Sequence, residues 1–524
     1  MTPGSEERIR LIAVLVLTGV LSVWMDLSPL HRFHDSDSLV PVLMSLQRWT
    51  PFYWEQNRYG MLIPLLAVPV RGPYHNLLVQ VALRLCAVVL SFFLVARAVV
   101  PRPYWPAVGA ATLGLYVAGR GLFAHCFLQM QPYPQALALG LAGVTILDGP
   151  PLGSRGAVRA IVRVAMAALL IGLAFWVSLS LIVWLLTFLW LRQVLSLEPG
   201  PDGWRFWPRL WPLPGDLVDV RRILPFALVI LAFGTSVLTA KNAQWSSTDW
   251  GVAGAATWPH AWATLVRHAV TFLGPPLVIG SCVVLVGAGA FTLGRRWPRA
   301  RLAASAGLCL LGAAAVELLV LGTSSWVYLN DLSIRFLWCG LLALGMSLPA
   351  MALILVLEGR ERWHGGVNVA ACLVLLLAVL TRFGLPSPAA ARAAFDRHVG
   401  PAAEAILTAG GTHVIGSYWR VWPAVLRANE ILWEKGEHRQ VWGITTRSRP
   451  TQDLWQPRSW AAGRVAVLHN DAMAATAMGF YRVPPLFLAA EAPGLRVYAG
   501  TPPAGAPVVS FQMPAGAMLR GIHR

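Results

Sequence analysis

The sequence predicts an α-helical polytopic membrane protein, with about eleven spans and a small C-terminal extracytoplasmic α/β domain. Hydrophobic residues make up 56% of the chain and charged residues only 13%, whereas soluble domains carry about 25% charged residues. Long apolar runs recur up to position 384, as expected of helices that cross a bilayer. Beyond that point the chain alternates short β-like and helix-like runs, which indicates a different kind of domain.

The predicted spans follow from apolar length, because about 20 residues are needed to cross the hydrocarbon core. They cover residues 9–25, 76–99, 104–119, 133–148, 160–177, 180–197, 223–240, 269–293, 302–321, 336–357 and 366–384. The stretch 160–197 is interpreted as two spans, because a single helix would be about 57 Å long, nearly twice the roughly 30 Å core. A hinge is therefore predicted at Ser178-Leu179-Ser180.

The distribution of arginine predicts the orientation of these spans. The net charge is +18, and Lys241 and Lys435 are the only lysines. With the hinge at 178–180, the arginine-rich loops share one side, which the positive-inside rule makes cytoplasmic. We therefore expect an integral cytoplasmic (inner) membrane protein with a cytoplasmic N-terminus. Topology explains the basic charge, so no nucleic-acid partner is predicted.

Two domains are predicted from these patterns. Residues 1–384 form a transmembrane module, whose first outer loop, 26–75, contains interfacial helices at 38–48 and 60–70. Residues 385–524 form the extracytoplasmic domain. Its predicted helices are 387–408, 422–435 and 472–481, and its predicted strands are 412–418, 440–446, 464–469 and 495–499.

The most informative polar segment is His34-Asp35-Ser36-Asp37, directly after the first span. A charge inside hydrocarbon costs roughly 2.5–3.5 kcal/mol, so two acids kept at the membrane boundary indicate a function. Asp35 and Asp37 are the predicted catalytic residues, and Asp35 is favoured as general base. The alternative for Asp37 is that it, or Ser38, only caps a helix that begins near Ser38.

A divalent metal is an alternative partner of the acids, because His31 and His34 lie beside them. Histidines at such a boundary more often form interfacial hydrogen bonds. The sequence therefore predicts no metal ligand and no certain cofactor, and His34 is assigned to substrate binding.

A second polar cluster, Glu55-Gln56-Asn57-Arg58-Tyr59, follows a run of aromatic residues in the first outer loop. Aromatic faces stack on sugar rings, and these polar side chains bind hydroxyl or phosphate groups. The alternative is an aromatic belt whose single arginine extends to the headgroups. We favour substrate binding, because Glu55 and Arg58 have no structural need to lie near lipid.

Later outer segments supply the other predicted substrate-binding residues, which are His125, Gln129, Asn330 and Arg335. Arg335 begins a span on the outer face, where topology does not favour positive charge, and it is predicted to bind a lipid phosphate. The alternative is a helical ion pair with Asp331, four residues earlier. In the tail, residues 416–423 offer aromatic and arginine contacts to an acceptor, with Trp422 predicted to pack internally.

The pattern resembles the GT-C superfamily of integral-membrane glycosyltransferases, including the protein-mannosyltransferase type. The resemblance is carried by the acidic pair in His34-Asp35-Ser36-Asp37, the interfacial helices, the paired short spans around Phe175–Ser178, the late loop with Asn330 and Arg335, and the soluble domain at the end. It implies that Asp35 or Asp37 acts as base or helps to hold a metal. It also implies that Arg335 contacts the phosphate of a carrier lipid.

The resemblance implies a hexosyltransferase that uses a polyprenyl-phosphate-linked sugar donor. The acceptor is a glycan, a lipid or a protein on the outer face of the membrane. The alternatives are a transporter or flippase of lipid-linked sugars and a non-catalytic membrane scaffold. Arg84 and Glu317 are the few charges deep inside spans, and the sequence has no internal repeat, which weighs against transport.

Overall fold

The protein is described by a computed structural model. The described residues are 3–30, 35–54, 59–100, 103–119, 131–148, 157–195, 220–242, 251–274, 298–400, 402–445, 464–468, 486–492, 495–499 and 508–509. The chain divides into two compact units. The first unit comprises Met1–Met25, Arg84–Asn242 and Asp249–Gly384, and the second comprises Asp26–Leu83, Ala243–Thr248 and Leu385–Arg524.

The first unit is helical, and most helices long enough to span a membrane belong to it. Within the described residues, seven helices are long and apolar enough to cross a bilayer: Ser5–Asp26, Pro73–Val99, Val158–Val177, Ile223–Ala240, Leu302–Gly322, Ile334–Leu357 and Arg362–Phe383. The helix Pro73–Val99 begins in the second unit and continues into the first. These helices make the chain a polytopic α-helical membrane protein, as predicted.

Several predicted spans are shorter in the structure than the sequence suggested. Trp105–Ala118, Tyr133–Leu147 and Leu181–Val194 contain only 14 or 15 residues, which is about 21 Å of helix. The helix Trp258–Leu273 contains the beginning of predicted span 269–293, and the rest of that span lies outside the described residues.

The predicted hinge between the paired spans is present. One helix ends at Val177 and the next begins at Leu181. Between them, the hydroxyl oxygens of Ser178 and Ser180 lie 2.9 Å apart in a hydrogen bond. This break confirms the interpretation of 160–197 as two helices, which came from loop charge and helix length.

The second unit joins the first outer loop to the tail. The sequence-based division places 26–75 with the transmembrane module, whereas the structure groups 26–83 with 385–524. Hydrogen bonds link the two segments: the side-chain amide of Gln47 donates to the carbonyl of Val441 at 2.8 Å, and the N–H of Ser387 donates to the carbonyl of Leu27 at 2.6 Å.

Short helices surround the contact between loop and tail. They are Ser36–Leu46, Leu62–Ala67, Pro388–Val399, Ala403–Thr408 and Tyr418–Glu434. The sequence predicts one helix over 387–408, and the structure has two. The first helix ends at Val399, and the proline at position 401 of the sequence has no N–H with which to continue the helical hydrogen bonds.

A six-stranded mixed sheet forms the rest of the tail. Its strands are β1 (His413–Ile415), β2 (Trp442–Ile444), β3 (Arg464–Leu468), β4 (Leu486–Ala492), β5 (Leu495–Ala499) and β6 (Val508–Val509), in the order β2-β1-β3-β5-β4-β6. β1 pairs in parallel with β2 and β3, and the other pairs are antiparallel. The four predicted strands are present, whereas β4 and β6 were not predicted. The predicted helix 472–481 lies outside the described residues.

The helix Tyr418–Glu434 packs closely against this sheet. Trp422 is only 1% exposed, so it packs internally as predicted. A Cβ atom at Gly443 of β2 would lie 2.5 Å from the Trp422 ring, so glycine is required at this close approach. This close packing fixes the distance between the helix and the sheet, and it thereby fixes the position of Tyr418, the first residue of the helix.

Candidate active site

The acidic pair lies at the start of the helix Ser36–Leu46. This helix begins two residues earlier than predicted, and its N-cap is Asp35, in extended backbone, with Oδ1 accepting the N–H of Ser38 at 2.8 Å. Aspartate is a favoured N-cap because its oxygen satisfies an amide that has no partner within the helix. The capping role that the sequence considered for Asp37 or Ser38 therefore belongs to Asp35.

The apolar stripe of this helix explains why the acids are held at the edge of the second unit. Leu39, Val42 and Leu43 are fully buried, whereas Asp35 and Asp37 are half-buried. The stripe anchors the helix inside the unit and leaves its first turn partly accessible. Carboxylates are also stabilised there by the positive end of the helix dipole.

Asp37 is bound by a residue of the tail. The phenol of Tyr418 donates a hydrogen bond to Asp37 Oδ1 at 2.7 Å, and the phenol oxygen of Tyr53 lies 2.7 Å from that of Tyr418. Because Tyr418 gives its single hydroxyl hydrogen to Asp37, Tyr53 must be the donor to Tyr418. The result is a directed chain of hydrogen bonds from Tyr53 through Tyr418 to Asp37.

The backbone of Tyr418 is attached to the same helix turn. The hydroxyl of Ser36, a fully buried side chain, donates to the carbonyl of Tyr418 at 2.7 Å. Ser36 and Asp37 therefore hold the main chain and the phenol of one tyrosine.

An exposed aromatic residue follows this tyrosine. Trp419 is 53% exposed, and its ring meets that of Tyr418 edge-on at a centroid distance of 5.0 Å. The neighbouring Arg420 is also exposed. An aromatic face and a cation thus follow Tyr418 on the exposed surface of the helix, as expected of a surface that binds sugars or phosphates.

The aromatic segment of the first outer loop forms a narrow bridge. Phe52 pairs with Gly60, and the N–H of Tyr53 donates to the carbonyl of Tyr59 at 2.9 Å. Trp54 packs 6.0 Å from Trp422 of the tail, between ring centroids. The bridge sets the position of Tyr53, and Tyr59 is half-buried in it.

Several predicted binding residues lie outside the described part of the chain. They are His34, Glu55, Gln56, Asn57, Arg58, His125 and Gln129. Their assignment to substrate binding stays a prediction.

Arg335 lies in a short 3-10 helix of the first unit, Ile334–Leu337. Its Nη2 donates to Asn330 Oδ1 at 3.4 Å, and its guanidinium lies 5.1 Å from the centroid of the Phe336 ring. Asp331 and Leu332 have positive φ, at 56° and 50°, so no continuous helix connects Asp331 to Arg335. The helical ion pair suggested as an alternative is therefore not the geometry at this site.

The described residues do not form a metal site. Among them, no group of three or more His, Cys, Asp or Glu side chains could hold a metal ion. Asp35 and Asp37 each accept a hydrogen bond from a protein donor. His31 and His34 lie outside the described residues.

Sequence reasoning missed Tyr418 and Tyr53 as partners of the acid. It singled out 416–423 as a possible acceptor surface but did not connect this segment to Asp37, which is 381 residues away. The only local signal is a tyrosine that starts a helix after a buried strand, and many packing residues share that pattern.

Comparisons with known proteins found similarity in structure and none in sequence. No protein-family profile matches the sequence, and no curated protein matches it. ArnT from Cupriavidus metallidurans, solved with bound undecaprenyl phosphate, is 11% identical, covers 94% of this chain and 98% of its own, and has a TM-score of 0.46.

Two structures from Archaeoglobus fulgidus also match. Its oligosaccharyltransferase in complex with Zn and sulfate is 11% identical, with 94% of this chain and 74% of that chain covered and a TM-score of 0.38. Its oligosaccharyltransferase AglB, with an inhibitory peptide and a dolichol-phosphate, is 11% identical, with 95% and 75% covered and a TM-score of 0.37. At these scores the likenesses assign no activity to this chain.

Proposed function

We propose that this chain is a GT-C-type membrane glycosyltransferase, which transfers a hexose from a polyprenyl-phosphate donor to an acceptor hydroxyl at the outer face of the cytoplasmic membrane. The reaction type rests on the resemblance of the sequence motifs. The observation that carries the proposal is the half-buried Asp37 at a helix N-terminus, whose carboxylate accepts a hydrogen bond from Tyr418. An oriented carboxylate with access to solvent suits a general base.

In the proposed reaction Asp37 takes the proton of the acceptor hydroxyl. The acceptor oxygen then forms a bond to the anomeric carbon of the sugar, while the bond from that carbon to the phosphate oxygen breaks. Polyprenyl phosphate leaves with the electron pair. We assign the base to Asp37 instead of the Asp35 favoured by sequence, because Asp35 Oδ1 caps the helix at Ser38.

Arg335 is proposed to bind the donor phosphate. Its guanidinium is half-buried and lies between Asn330 and the ring of Phe336. Arginine binds phosphate oxygens through paired, charge-assisted hydrogen bonds. Such a contact would also stabilise the negative charge that develops on the departing phosphate.

The buried acid Glu317 does not support transport. Its carboxylate accepts the N–H of Gly340, in the first turn of the helix Trp338–Leu357. A side-chain oxygen at a helix N-terminus satisfies an amide that has no partner within the helix. Glu317 thus has a structural reason to be buried within a span.

The first prediction compares Asp37→Asn with Asp35→Asn in the full-length protein. Transfer is measured from labelled polyprenyl-phosphate hexoses to acceptors in host membranes. We expect Asp37→Asn to lower kcat by about 10²–10⁴-fold, because an amide cannot accept the proton. Asp35→Asn serves as the matched control, because asparagine caps helices about as well as aspartate.

Two outcomes would contradict this assignment. Parental activity in Asp37→Asn would remove Asp37 from the mechanism. A large loss in Asp35→Asn with normal expression would instead return the base role to Asp35.

The second prediction concerns donor binding. We expect Arg335→Gln to raise the donor KM about tenfold or more, because a hydrogen bond to a charged group contributes about 1.5–3 kcal/mol. Arg267→Gln, at an exposed arginine of the same unit, should leave the donor KM unchanged. An unchanged KM in Arg335→Gln would remove Arg335 from the donor site.

A further inference from the structure

We infer that Tyr418 is a positioning residue for Asp37, so that the C-terminal domain completes the acidic site. The inference rests on the proposed function, in which Asp37 is the general base. It assigns to the tail a part in the chemistry, in addition to any contact with the acceptor.

The hydrogen bonds that reach Asp37 run in one direction. Tyr418 donates to Asp37 at 2.7 Å, and Tyr53 donates to Tyr418 at 2.7 Å. Both tyrosines are only 7% exposed. Because burial excludes most competing water, the Tyr418 phenol has little freedom to turn away from the carboxylate.

Tyr418 is also held at its main chain. Ser36 donates to the Tyr418 carbonyl at 2.7 Å, and Ser36 is the neighbour of Asp37 in the same helix turn. The main chain and the phenol of Tyr418 are therefore attached to adjacent residues. A tyrosine with both ends held in this way can orient the carboxylate that it contacts.

The two helices that meet here run side by side in the same direction. Ser36 contacts Tyr418 at their N-terminal ends. Toward their C-terminal ends, the side-chain amides of Gln47 and Asn429 both donate to the carbonyl of Val441 at 2.8 Å. Contacts at both ends fix the register of the helices, and this register places the phenol opposite Asp37.

The positioning role is specific to the hydroxyl group. Phenylalanine at 418 would keep the ring, and with it the edge-on contact with Trp419. It would remove the hydrogen bond to Asp37, which then could turn away from its reactive orientation, and with it the hydrogen bond that Tyr418 shares with Tyr53. Catalysis is sensitive to such displacements, whereas binding of the donor elsewhere in the site is not.

The test is Tyr418→Phe in the full-length chain, with Tyr53→Phe as the matched control. Both variants remove one phenolic oxygen from the same hydrogen-bond chain. Tyr418→Phe is expected to lower kcat about tenfold at an unchanged donor KM, by loss of a charge-assisted hydrogen bond. Tyr53→Phe, which does not touch Asp37, is expected to lower kcat by less than about threefold.

A double variant distinguishes positioning from packing. If Tyr418 acts through Asp37, adding Tyr418→Phe to Asp37→Asn will cause no further loss of kcat. If Tyr418 only supports the fold, the same factor will be lost in both backgrounds, together with a lower melting temperature. The second result would overturn the inference.

A readout without turnover separates this inference from the proposed function. Fluorotyrosine is placed at position 418 of the full chain, and its fluorine NMR resonance is recorded in the parent, Asp37→Asn and Asp35→Asn. We expect the resonance to move only with Asp37→Asn. An unmoved resonance would overturn the inference, whatever the reaction. A moved resonance with full activity in Asp37→Asn would instead contradict the proposed function, and with it a catalytic effect of Tyr418.

Discussion

The two ends of the helix Tyr418–Glu434 hold carboxylates in very different ways. Glu430, near its C-terminal end, is 2% exposed, and its two oxygens accept hydrogen bonds from Arg392 and Arg427 at 2.5 Å each. Asp37 lies at the N-terminal end, is half-buried, and accepts a neutral phenol. The first acid is neutralised by two cations in the interior, whereas the second keeps access to solvent. Of the two, only Asp37 is arranged to accept a proton from a substrate.

The surroundings of Glu430 show what its charge does. Arg392 also pairs with Asp396 at 3.1 Å and lies 4.8 Å from the centroid of the Tyr74 ring. The guanidinium thereby connects the helices Pro388–Val399 and Tyr418–Glu434 with the start of Pro73–Val99. This network holds the tail to the first outer loop and so supports the site from a distance.

The largest effect on stability should come from Glu430→Gln. Replacing the acid by an amide removes the charge from its hydrogen bonds with Arg392 and Arg427, which keep only their pairs with the more exposed Asp396 and Glu434. The loss of a charge-assisted hydrogen bond should destabilise the protein by up to about 3 kcal/mol. The melting temperature of the full-length protein in detergent measures the change. The donor KM should stay the same, because Glu430 does not contact the proposed site.

Glu437→Gln is the matched control for this variant. Its pair with Arg439 has a side-chain exposure of 38% and 45%, and such exposed pairs contribute about 0.2–1 kcal/mol. Equal losses in the two variants would break the comparison, since Glu430 would then act as an ordinary surface acid.

A smaller effect should appear with pH and should come from the sheet. His413 is buried in β1, and burial lowers its pKa to about 4 from an ordinary value of about 6.5. The folded state thus disfavours the charged imidazole, so the contribution to stability is present above about pH 6.5 and is lost toward pH 4. Between pH 7 and pH 5 the loss should be about 2 kcal/mol.

Melting temperatures of the parent and His413→Gln at the two pH values test this prediction. The variant should lose less stability in acid than the parent. An equal loss would show that other groups cause the acid sensitivity. Activity profiles recorded in the His413→Gln background would then report the reaction site with less interference from unfolding.

Much of the fold could be predicted from local pattern. The sequence predicted a helix over 38–48 where the structure has Ser36–Leu46, and helix length and loop charge predicted the break between the paired helices. β4 was missed, because Leu486–Ala492 contains three alanines and no clear alternation, and only its pairing with β5 makes it a strand.

The acids of the candidate site could be found in the same way, because charge is costly inside hydrocarbon and two acids close to the end of a span are therefore informative. Their separate roles could not. Helix propensity allows a cap at Asp35, Asp37 or Ser38 alike, and the choice depends on where the helix begins after it packs. The hydrogen bond from Tyr418 to Asp37 could not be predicted either, because no local sequence pattern relates these two residues.

The amino-acid sequence by itself determined which segments are apolar enough to span a bilayer and where acids follow the end of a span. Hydropathy and local charge depend on residues that are neighbours in the sequence, so both can be predicted without knowledge of the fold. Only the tertiary structure decided that Asp35 caps its helix, that Glu430 is neutralised by two arginines and that Tyr418 reaches Asp37. A hydrogen bond requires its two atoms to approach within about 3 Å, and folding alone brings residues 381 positions apart to that distance.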